Sequence, residues 1–308
     1  MIKVGVSACL LGRKVRYDGQ HKRDDWLVDV LGAHVEWVPV CPEVELGLGT
    51  PRPPIHIEER GRGLRLIMPS KERDLTEEME AWSARRVEAL DGLSGYVLKK
   101  DSPSCGMERV RVHRPRGVTR DGVGFFAAAL RARWPNLPVE EEGRLRDARL
   151  RESFIERVFA YHRLETLWAS RWGMGELVAF HTAHKLALLA HSPPAYQALG
   201  RLVARGKGLQ RDELRRRYAD GFMAALATPT TRGRHSNVLE HMAGYLELDA
   251  GSRAELGESI ADYRKGLVPL VVPWTLIRHH ARAQGVDYLL GQTYLDPNPR
   301  ELMLRNHV

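Results

Sequence analysis

Cysteine occurs at only three positions in this chain of 308 residues, Cys9, Cys41 and Cys105. Each follows a short apolar stretch: Ile2 to Ala8 before Cys9, Val35 to Val40 before Cys41, and Gly95 to Leu98 shortly before Cys105. Such stretches read as buried strands. If the strands are parallel neighbours, three thiols from distant parts of the sequence meet at one sheet edge, where α/β proteins gather their ligands. A lone free cysteine is usually a small buried hydrophobe, but three in the same setting point to chemistry. A nucleophilic cysteine needs a histidine base, and none lies close in sequence to Cys41 or Cys105. Structural zinc wants a closed set of four ligands, which His21 or His56 could complete. A redox disulfide would leave one cysteine unused. An iron–sulfur cubane on three thiolates leaves one iron open to substrate. On residue types alone, zinc and the cluster both stand.

The loops around the thiols add polar groups. Cys41-Pro42-Glu43-Val44-Glu45 sets two carboxylates beside one cysteine, with Arg52 further along, and Lys99 to Gly106 brings Ser102 and Ser104 to another. So much glycine and proline between Cys41 and Pro54 predicts no regular structure there. Gly47-Leu48-Gly49 lacks the third glycine and the helix of a dinucleotide fingerprint. In the C-terminal half, His181 and His184 share a helix face without a carboxylate at ligand spacing, so Lys185 beside them suits an anion better than a metal. Lys207, Arg215, Arg216, Arg217, Arg232 and Arg234 form basic clusters that suit phosphate groups, although an arginine run is often only a solvated face.

The elements that would hold these residues fall into two groups. Residues 1–143 predict an α/β domain with an open, mostly parallel, Rossmann- or flavodoxin-like sheet. Its elements run β-α-β-β-α-β-α-β, with helices over 23–31, 74–90 and 121–134 and strands near 63–68 and 137–139. The acidic run Glu140-Glu141-Glu142 closes it. Residues 144–308 predict an all-α domain, with a stripe from Leu150 to Tyr161 and further helices over 176–191, 195–205, 211–227, 235–248, 252–265 and 273–284. The longest apolar run, Leu267 to Trp274, is broken by Pro269 and Pro273 and is too short for a membrane span. With few cysteines and no signal-peptide pattern, the expectation is a cytoplasmic protein.

Net charge is +8, unevenly divided. Residues 1–143 hold 23 Lys/Arg against 22 Asp/Glu (+1), and residues 144–308 hold 24 against 17 (+7). A neutral half with all the thiols and a basic helical half suggest a chemistry domain joined to one that meets a polyanion.

Val6-Ser7-Ala8-Cys9-Leu10-Leu11-Gly12, Tyr17-Asp18-Gly19, Cys41-Pro42-Glu43 with Gly47-Leu48 and Pro51-Arg52, and Lys99 with Ser102-Pro103-Ser104-Cys105-Gly106 together resemble the thiouracil desulfurase family. The C-terminal half is similar to the YbgA-like helical domain found behind it, through Phe180-His181-Thr182-Ala183-His184-Lys185. The resemblance implies a [4Fe-4S] cluster on Cys9, Cys41 and Cys105. It implies catalytic roles for Glu43 and Ser102, with Glu45 and Ser104 as neighbouring alternatives. It further implies loss of sulfur from a free thiolated pyrimidine or, in the fused form, a tRNA thiouridine such as 4-thiouridine. Water replaces the sulfur without net oxidation, so no redox partner is required. A zinc- or iron–sulfur-containing RNA-binding or sensor protein without catalysis is the alternative reading.

Overall fold

The structure, a computed structural model, describes residues 1–61 and 63–307. It divides into two compact units, Met1–Leu150 and Arg151–Val308. The division falls beyond residue 143 because Arg144, past the acidic run, binds back to Glu140 and Glu108 of the first unit at 2.6 and 2.7 Å.

In chain order the first unit runs β1 (Ile2–Ser7), β2 (Val35–Val40), α1 (Pro42–Glu45), β3 (His56–Arg60), β4 (Gly63–Met68) and β5 (Arg73–Asp74). It continues with α2 (Thr76–Glu88), β6 (Gly95–Leu98), β7 (Val110–Arg114), β8 (Gly117–Gly122), α3 (Phe125–Arg133) and β9 (Val139–Glu141). One sheet has the order β2-β1-β6-β9, and every pairing in it is parallel. Counting only its own strands, that is the flavodoxin-like order 2-1-3-4, with the topological switch between β1 and β6. The expected α/β class is therefore observed. The central strands β1 and β6 are short and largely apolar, as strands covered on both faces are, and β6 is buried throughout. Gly5 in β1 has no substitute: a Cβ there would lie 2.1 Å from the ring of Tyr96, itself fully buried.

A second sheet, β5-β4-β3-β7-β8, is mixed and mostly antiparallel. Of this sheet only the strand near 63–68 was predicted. The helix expected over 121–134 begins only at Phe125, because Asp121 and Gly122 belong to β8. The segment 23–31 forms a wide π turn over Trp26–Val30 and a tighter turn over Leu31–Ala33 rather than one regular helix. The proline-rich loop after Cys41 also departs from expectation: Pro42 starts the short α1, where its missing N–H is no loss.

The second unit is helical: α4 (Ala148–Ala169), α5 (Met174–Ala183), α6 (Lys185–His191), α7 (Pro193–Ala204), α8 (Arg211–Ala227), α9 (Arg232–Ala243), α10 (Ala250–Lys265), α11 (Val271–Ala283) and α12 (Asp287–Leu290). Phe154, Ile155, Val158, Tyr161 and Leu164 form the buried stripe of α4. The single helix expected over 176–191 breaks at His184. Its Nδ1 lies 2.8 Å from the Phe180 carbonyl. The groups freed by the break are met by side chains from far along the chain: Gln292 Nε2 donates to the Thr182 carbonyl at 2.9 Å, and Thr293 Oγ1 donates to that of Ala183 at 3.2 Å.

The unit also buries charge. Glu156 and His191 form an ion pair, Oε2 to Nε2, at 3.3 Å, and His191 Nδ1 donates to the Thr228 carbonyl at 2.7 Å. Burial opposes both charges, but each partner holds the other ionised, so Glu156 lies below and His191 above its ordinary value. Glu152 stands differently. Burial pushes its carboxyl up to about 7 despite Arg305 at 3.5 Å and His307 at 3.4 Å. A raised carboxyl pKa means the folded state holds its proton more tightly than the unfolded chain. Stability from this group is therefore greatest in acid and falls as pH rises from about 4.5 to about 7. Across that window the thermal midpoint of Glu152→Gln, followed by calorimetry, should rise relative to the unsubstituted protein. Parallel curves would contradict this reading.

Candidate active site

All three cysteines lie just past the carboxyl ends of neighbouring parallel strands, as the sequence predicts. Cys9 sits in a tight turn, Ala8–Leu11, after β1, and Gly12 ends that turn with φ 85. The Cys9 carbonyl accepts from Gly12 N at 3.3 Å and Lys22 N at 2.9 Å. Cys41 precedes α1, and its thiol points at the Val15 carbonyl, 3.7 Å away. Cys105 follows β6 in a loop closed by Gly106, whose N–H donates to the Ser102 carbonyl at 2.8 Å. Gly124 backs that loop so closely that a Cβ would meet the Ser104 carbonyl oxygen at 2.5 Å.

Side chains stitch the three loops together. Lys99 N donates to Ser7 Oγ at 2.9 Å, joining the ends of β6 and β1. Ser104 Oγ donates to Glu43 Oε1 at 2.7 Å, joining the Cys105 loop to the Cys41 loop. The other carboxylate oxygen, Oε2, accepts from Arg52 Nη2 at 2.6 Å. Arg52 is itself buried, and its Nη1 donates to the carbonyls of Val15 and Gly49 at 3.0 and 2.9 Å. One arginine thus fixes the carboxylate and the loop behind Cys9.

The loops enclose a cavity of about 510 Å³ lined by Cys9, Cys41, Cys105, Glu43, Ser102, Ser7, Arg52 and Lys99, with Arg16, Lys22 and Arg111 adding positive charge. Glu45 turns away from it, accepting from Cys41 N at 3.2 Å and from Arg86 Nε at 2.9 Å. Ser104 is fully buried behind Glu43. Of each pair left open by sequence, Glu43 and Ser102 line the cavity. Ser102 Oγ accepts from the amides of Ser104 and Cys105 at 3.2 and 3.1 Å, which leaves its own proton free to donate.

Burial pushes all three thiols up, Cys9 to about 12, and neighbouring Glu43 adds to the rise at each. Lys99 pulls the other way at Cys9, and a hydrogen bond from Ser7 does so at Cys105. These thiols need a bound cation before they ionise near neutral pH. Among the described residues no three His, Cys, Asp or Glu side chains converge on one ion position.

Ser7 and Glu142 belong to the site without having been singled out, and Arg52, noted beside the two carboxylates of its loop, is the clamp on Glu43. Arg52 stands in the Pro51-Arg52 motif, which was the available signal. Glu142, from the acidic run that closes the first domain, is buried: it bonds Lys99 Nζ, and its Oε2 accepts from Lys100 N at 2.9 Å. Glu141 is also buried and accepts from Met107 N at 2.7 Å. No motif marks these roles.

The basic residues named in the second unit are spread over several elements. Lys185 is half-buried at the start of α6, its Nζ 5.7 Å from the Tyr288 ring. Lys207 is exposed in the turn before α8. Arg215, Arg216 and Arg217 are exposed on α8 and pair with Glu165, Asp220 and Glu213 at 3.6, 3.8 and 3.1 Å. The Arg232 guanidinium packs against Gly266. Arg234 Nη1 donates to the carbonyls of His191 and Pro229 at 2.9 and 3.1 Å. His181 and His184 are buried, and burial lowers both below the usual histidine range. His181 stacks on Tyr196 and bonds the Tyr218 hydroxyl at 3.1 Å.

A parallel sheet with three thiols, a clamped carboxylate and a free hydroxyl at its switch point defines a cofactor-dependent α/β enzyme of the kind that works at strand ends. The chain belongs to the 2-thiouracil desulfurase family, which it matches over residues 4–142, and residues 185–299 match a second family, described as a protein of unknown function, DUF1722. It is 34% identical over 161 residues to the uncharacterized protein YbgA of Escherichia coli (strain K12), covering 51% of this chain and 95% of that one. It is 32% identical over 136 residues to the uncharacterized protein YbbK of Bacillus subtilis (strain 168), covering 41% and 87%. A solved structure described as the [4Fe-4S]-dependent thiouracil desulfidase TudS is 37% identical, with 48% of this chain and 95% of that chain covered and a TM-score of 0.40. No helix among the described residues is long and apolar enough to cross a membrane.

Removing the Arg52 side chain leaves Glu43 without its buried counter-charge and takes a donor from each of the Val15 and Gly49 carbonyls. Arg52→Ala should cost about 3 kcal/mol, the scale of a broken buried pair, read by denaturant unfolding of the first unit. Arg52→Lys should recover only part of it, because one ammonium cannot span the same acceptors. A loss below about 1 kcal/mol, the range of an exposed pair, would contradict the clamp.

Proposed function

We propose that this chain replaces sulfur by oxygen in thiolated uracil or uridine, with 4-thiouridine in tRNA as its macromolecular substrate. The observation that carries this reading is the meeting of three strand-end thiols with Glu43 and Ser102 in one cavity. The donor set fits a [4Fe-4S] cluster. Thiolates are the ligands such clusters take. A cubane offers each thiolate a separate iron, so the sulfurs need not converge on one point, as a single zinc would demand. When bound to Cys9, Cys41 and Cys105, the cluster would supply a Lewis-acidic iron with an open position suited to a soft thiocarbonyl sulfur.

The chain's own groups handle the water and the protons. Each Glu43 oxygen spends one lone-pair site on Ser104 or Arg52 and keeps another. The carboxylate can therefore accept a proton from water attacking the ring carbon. Ser102, its acceptor sites filled by two amides, presents its hydroxyl proton to the substrate. Water adds oxygen to that carbon, the carbon–sulfur bond breaks, and sulfide leaves with the two protons of water. The sum is thiopyrimidine plus water giving oxopyrimidine plus hydrogen sulfide. No electrons are exchanged, so no redox partner enters, and the thiols suit a reducing compartment such as the cytoplasm.

The tRNA half of the reading rests on the second unit's charge. Exposed pairs such as those of Arg215, Arg216 and Arg217 are weak, so phosphates can compete for these guanidinium groups. Lys185, Lys207, Arg232 and Arg234 complete the proposed docking set. Contacts to backbone phosphates would position the RNA while the cavity reads the base, and would offset the few kcal/mol needed to unstack the target nucleotide.

Three outcomes test this. Protein purified without oxygen should be brown and carry about four irons per chain, and Ala at Cys9, Cys41 or Cys105 should remove colour and turnover together; a colourless, zinc-loaded protein would contradict it. Glu43→Gln and Ser102→Ala should keep the iron and lose about 10²–10⁴ of the rate, whereas Glu45→Gln should stay close to the parent. Affinity for thiolated tRNA should fall steeply with salt, and replacing Arg215, Arg216 and Arg217 together should flatten the slope by up to about three. Salt-independent binding would remove the docking role.

A further inference from the structure

The three thiols meet different donors. The Cys41 sulfur accepts from the amides of Val44 and Glu43, at the start of α1. Cys9 faces the positive charge of Lys99. Cys105 accepts from the hydroxyl of Ser7. Only this last donor is a side chain that can be changed without touching Glu43 or the pair of Lys99 with Glu142. Ser7 is the last residue of β1, lines the cavity and is 2% exposed. A hydroxyl so deeply placed has to find its partners within the protein. Its oxygen accepts from Lys99 N at 2.9 Å, and its proton remains to be given to the Cys105 sulfur. One serine therefore crosses the switch between β1 and β6 twice, by its oxygen to the strand end and by its proton to the thiol. Burial alone would be served as well by alanine.

We propose that Ser7 is a positioning residue for the cluster, its hydroxyl donating to the Cys105 thiolate and thereby setting how electron-poor the bound cluster is. This rests on the desulfuration reading, in which Cys105 is a cluster ligand. A hydrogen bond to an ionised acceptor is stronger than one to a neutral group, and it draws charge off the sulfur. Hydrogen bonds to the ligand sulfurs are among the means by which a protein sets a cluster's reduction potential. The reduced cluster carries one more negative charge, so the donor stabilises it more and raises the potential. The same withdrawal of charge makes an open iron a better acceptor for a soft sulfur lone pair. Ser102 works differently. Its oxygen takes the amides of Ser104 and Cys105, so its proton is left for substrate. One serine serves the ligand and the other the substrate.

The test is a redox titration of the full-length protein and two variants in the absence of oxygen, with iron counted in each. Ser7→Ala should keep about four irons per chain and be harder to reduce. Its reduction equilibrium should fall by about tenfold, which is about 59 mV for a one-electron couple and the scale of one hydrogen bond to a charged group. Ser7→Thr, which keeps the hydroxyl, should titrate with the unsubstituted protein. Iron lost from Ser7→Ala but held by Ser7→Thr would equally support a required hydroxyl. An unshifted potential in iron-loaded Ser7→Ala overturns the proposal. So does a Ser7→Thr potential shifted as far as that of Ser7→Ala, or loss of iron from both variants, since the position would then demand size rather than a donor. Unsubstituted protein without iron would defeat the desulfuration reading itself and this inference with it.

Discussion

The clasp on Glu43 is the contact on which the site depends. Arg52 holds one carboxylate oxygen at 2.6 Å and Ser104 the other at 2.7 Å. The Ser104 bond ties together loops that leave different strands, one carrying Cys41 and the other Cys105, while Arg52 fixes the carboxylate within its own loop. Arg52 reaches on to the Val15 carbonyl, so the loop behind Cys9 is held by the same side chain. Thiols on three independent loops would otherwise drift relative to one another. Here their spacing is set by a buried charge pair whose members cannot separate without leaving a charge unpaired.

The sheet makes the clasp possible. In the order β2-β1-β6-β9, the three cysteine-bearing strands are adjacent and parallel, so their loops open on one edge. The switch in direction of winding between β1 and β6 leaves a crevice there. Lys99 N to Ser7 Oγ bridges that crevice at 2.9 Å. Behind it Glu142 anchors both Lys99 and Lys100, so the last strand of the sheet stiffens the loop that carries Cys105. The helical unit answers a different demand. Its polar interior, with Glu156 and His191 paired and Gln292 and Thr293 capping the break at His184, fixes one arrangement of helices.

Much of this is legible in the sequence where burial leaves an apolar signature. The parallel strands read as compact runs ending in cysteine, and the helix over 211–227 keeps its expected bounds because Asp212 and Glu213 mark its first turn. The second sheet is hidden because its strands are polar. β8 is exposed at five of its six residues, and Arg114 of β7 pairs with Glu59 and Asp121 at 2.8 Å each. In β7 only Val110 and Val112 alternate inward around the exposed Arg111, too short a pattern to read as a strand. The buried acids Glu140, Glu141 and Glu142 mislead for a related reason: a run of carboxylates reads as solvated surface until their partners, 34 to 43 residues earlier for Glu141 and Glu142, are known. Motif order pointed to Glu43 and Ser102, but which carboxylate faces inward depends on Arg86 taking Glu45 to the outside.

The central claim is that water, activated beside the three thiols, replaces sulfur without oxidation. The most direct measurement is turnover of a thiolated uridine in heavy-oxygen water, without oxygen gas or any added reductant, with the product read by mass spectrometry and the sulfide titrated. The account predicts one solvent oxygen in each product carbonyl and one sulfide released per uridine formed. Product lacking the label, sulfur retained as a persulfide on the protein, or a requirement for an electron donor would contradict it.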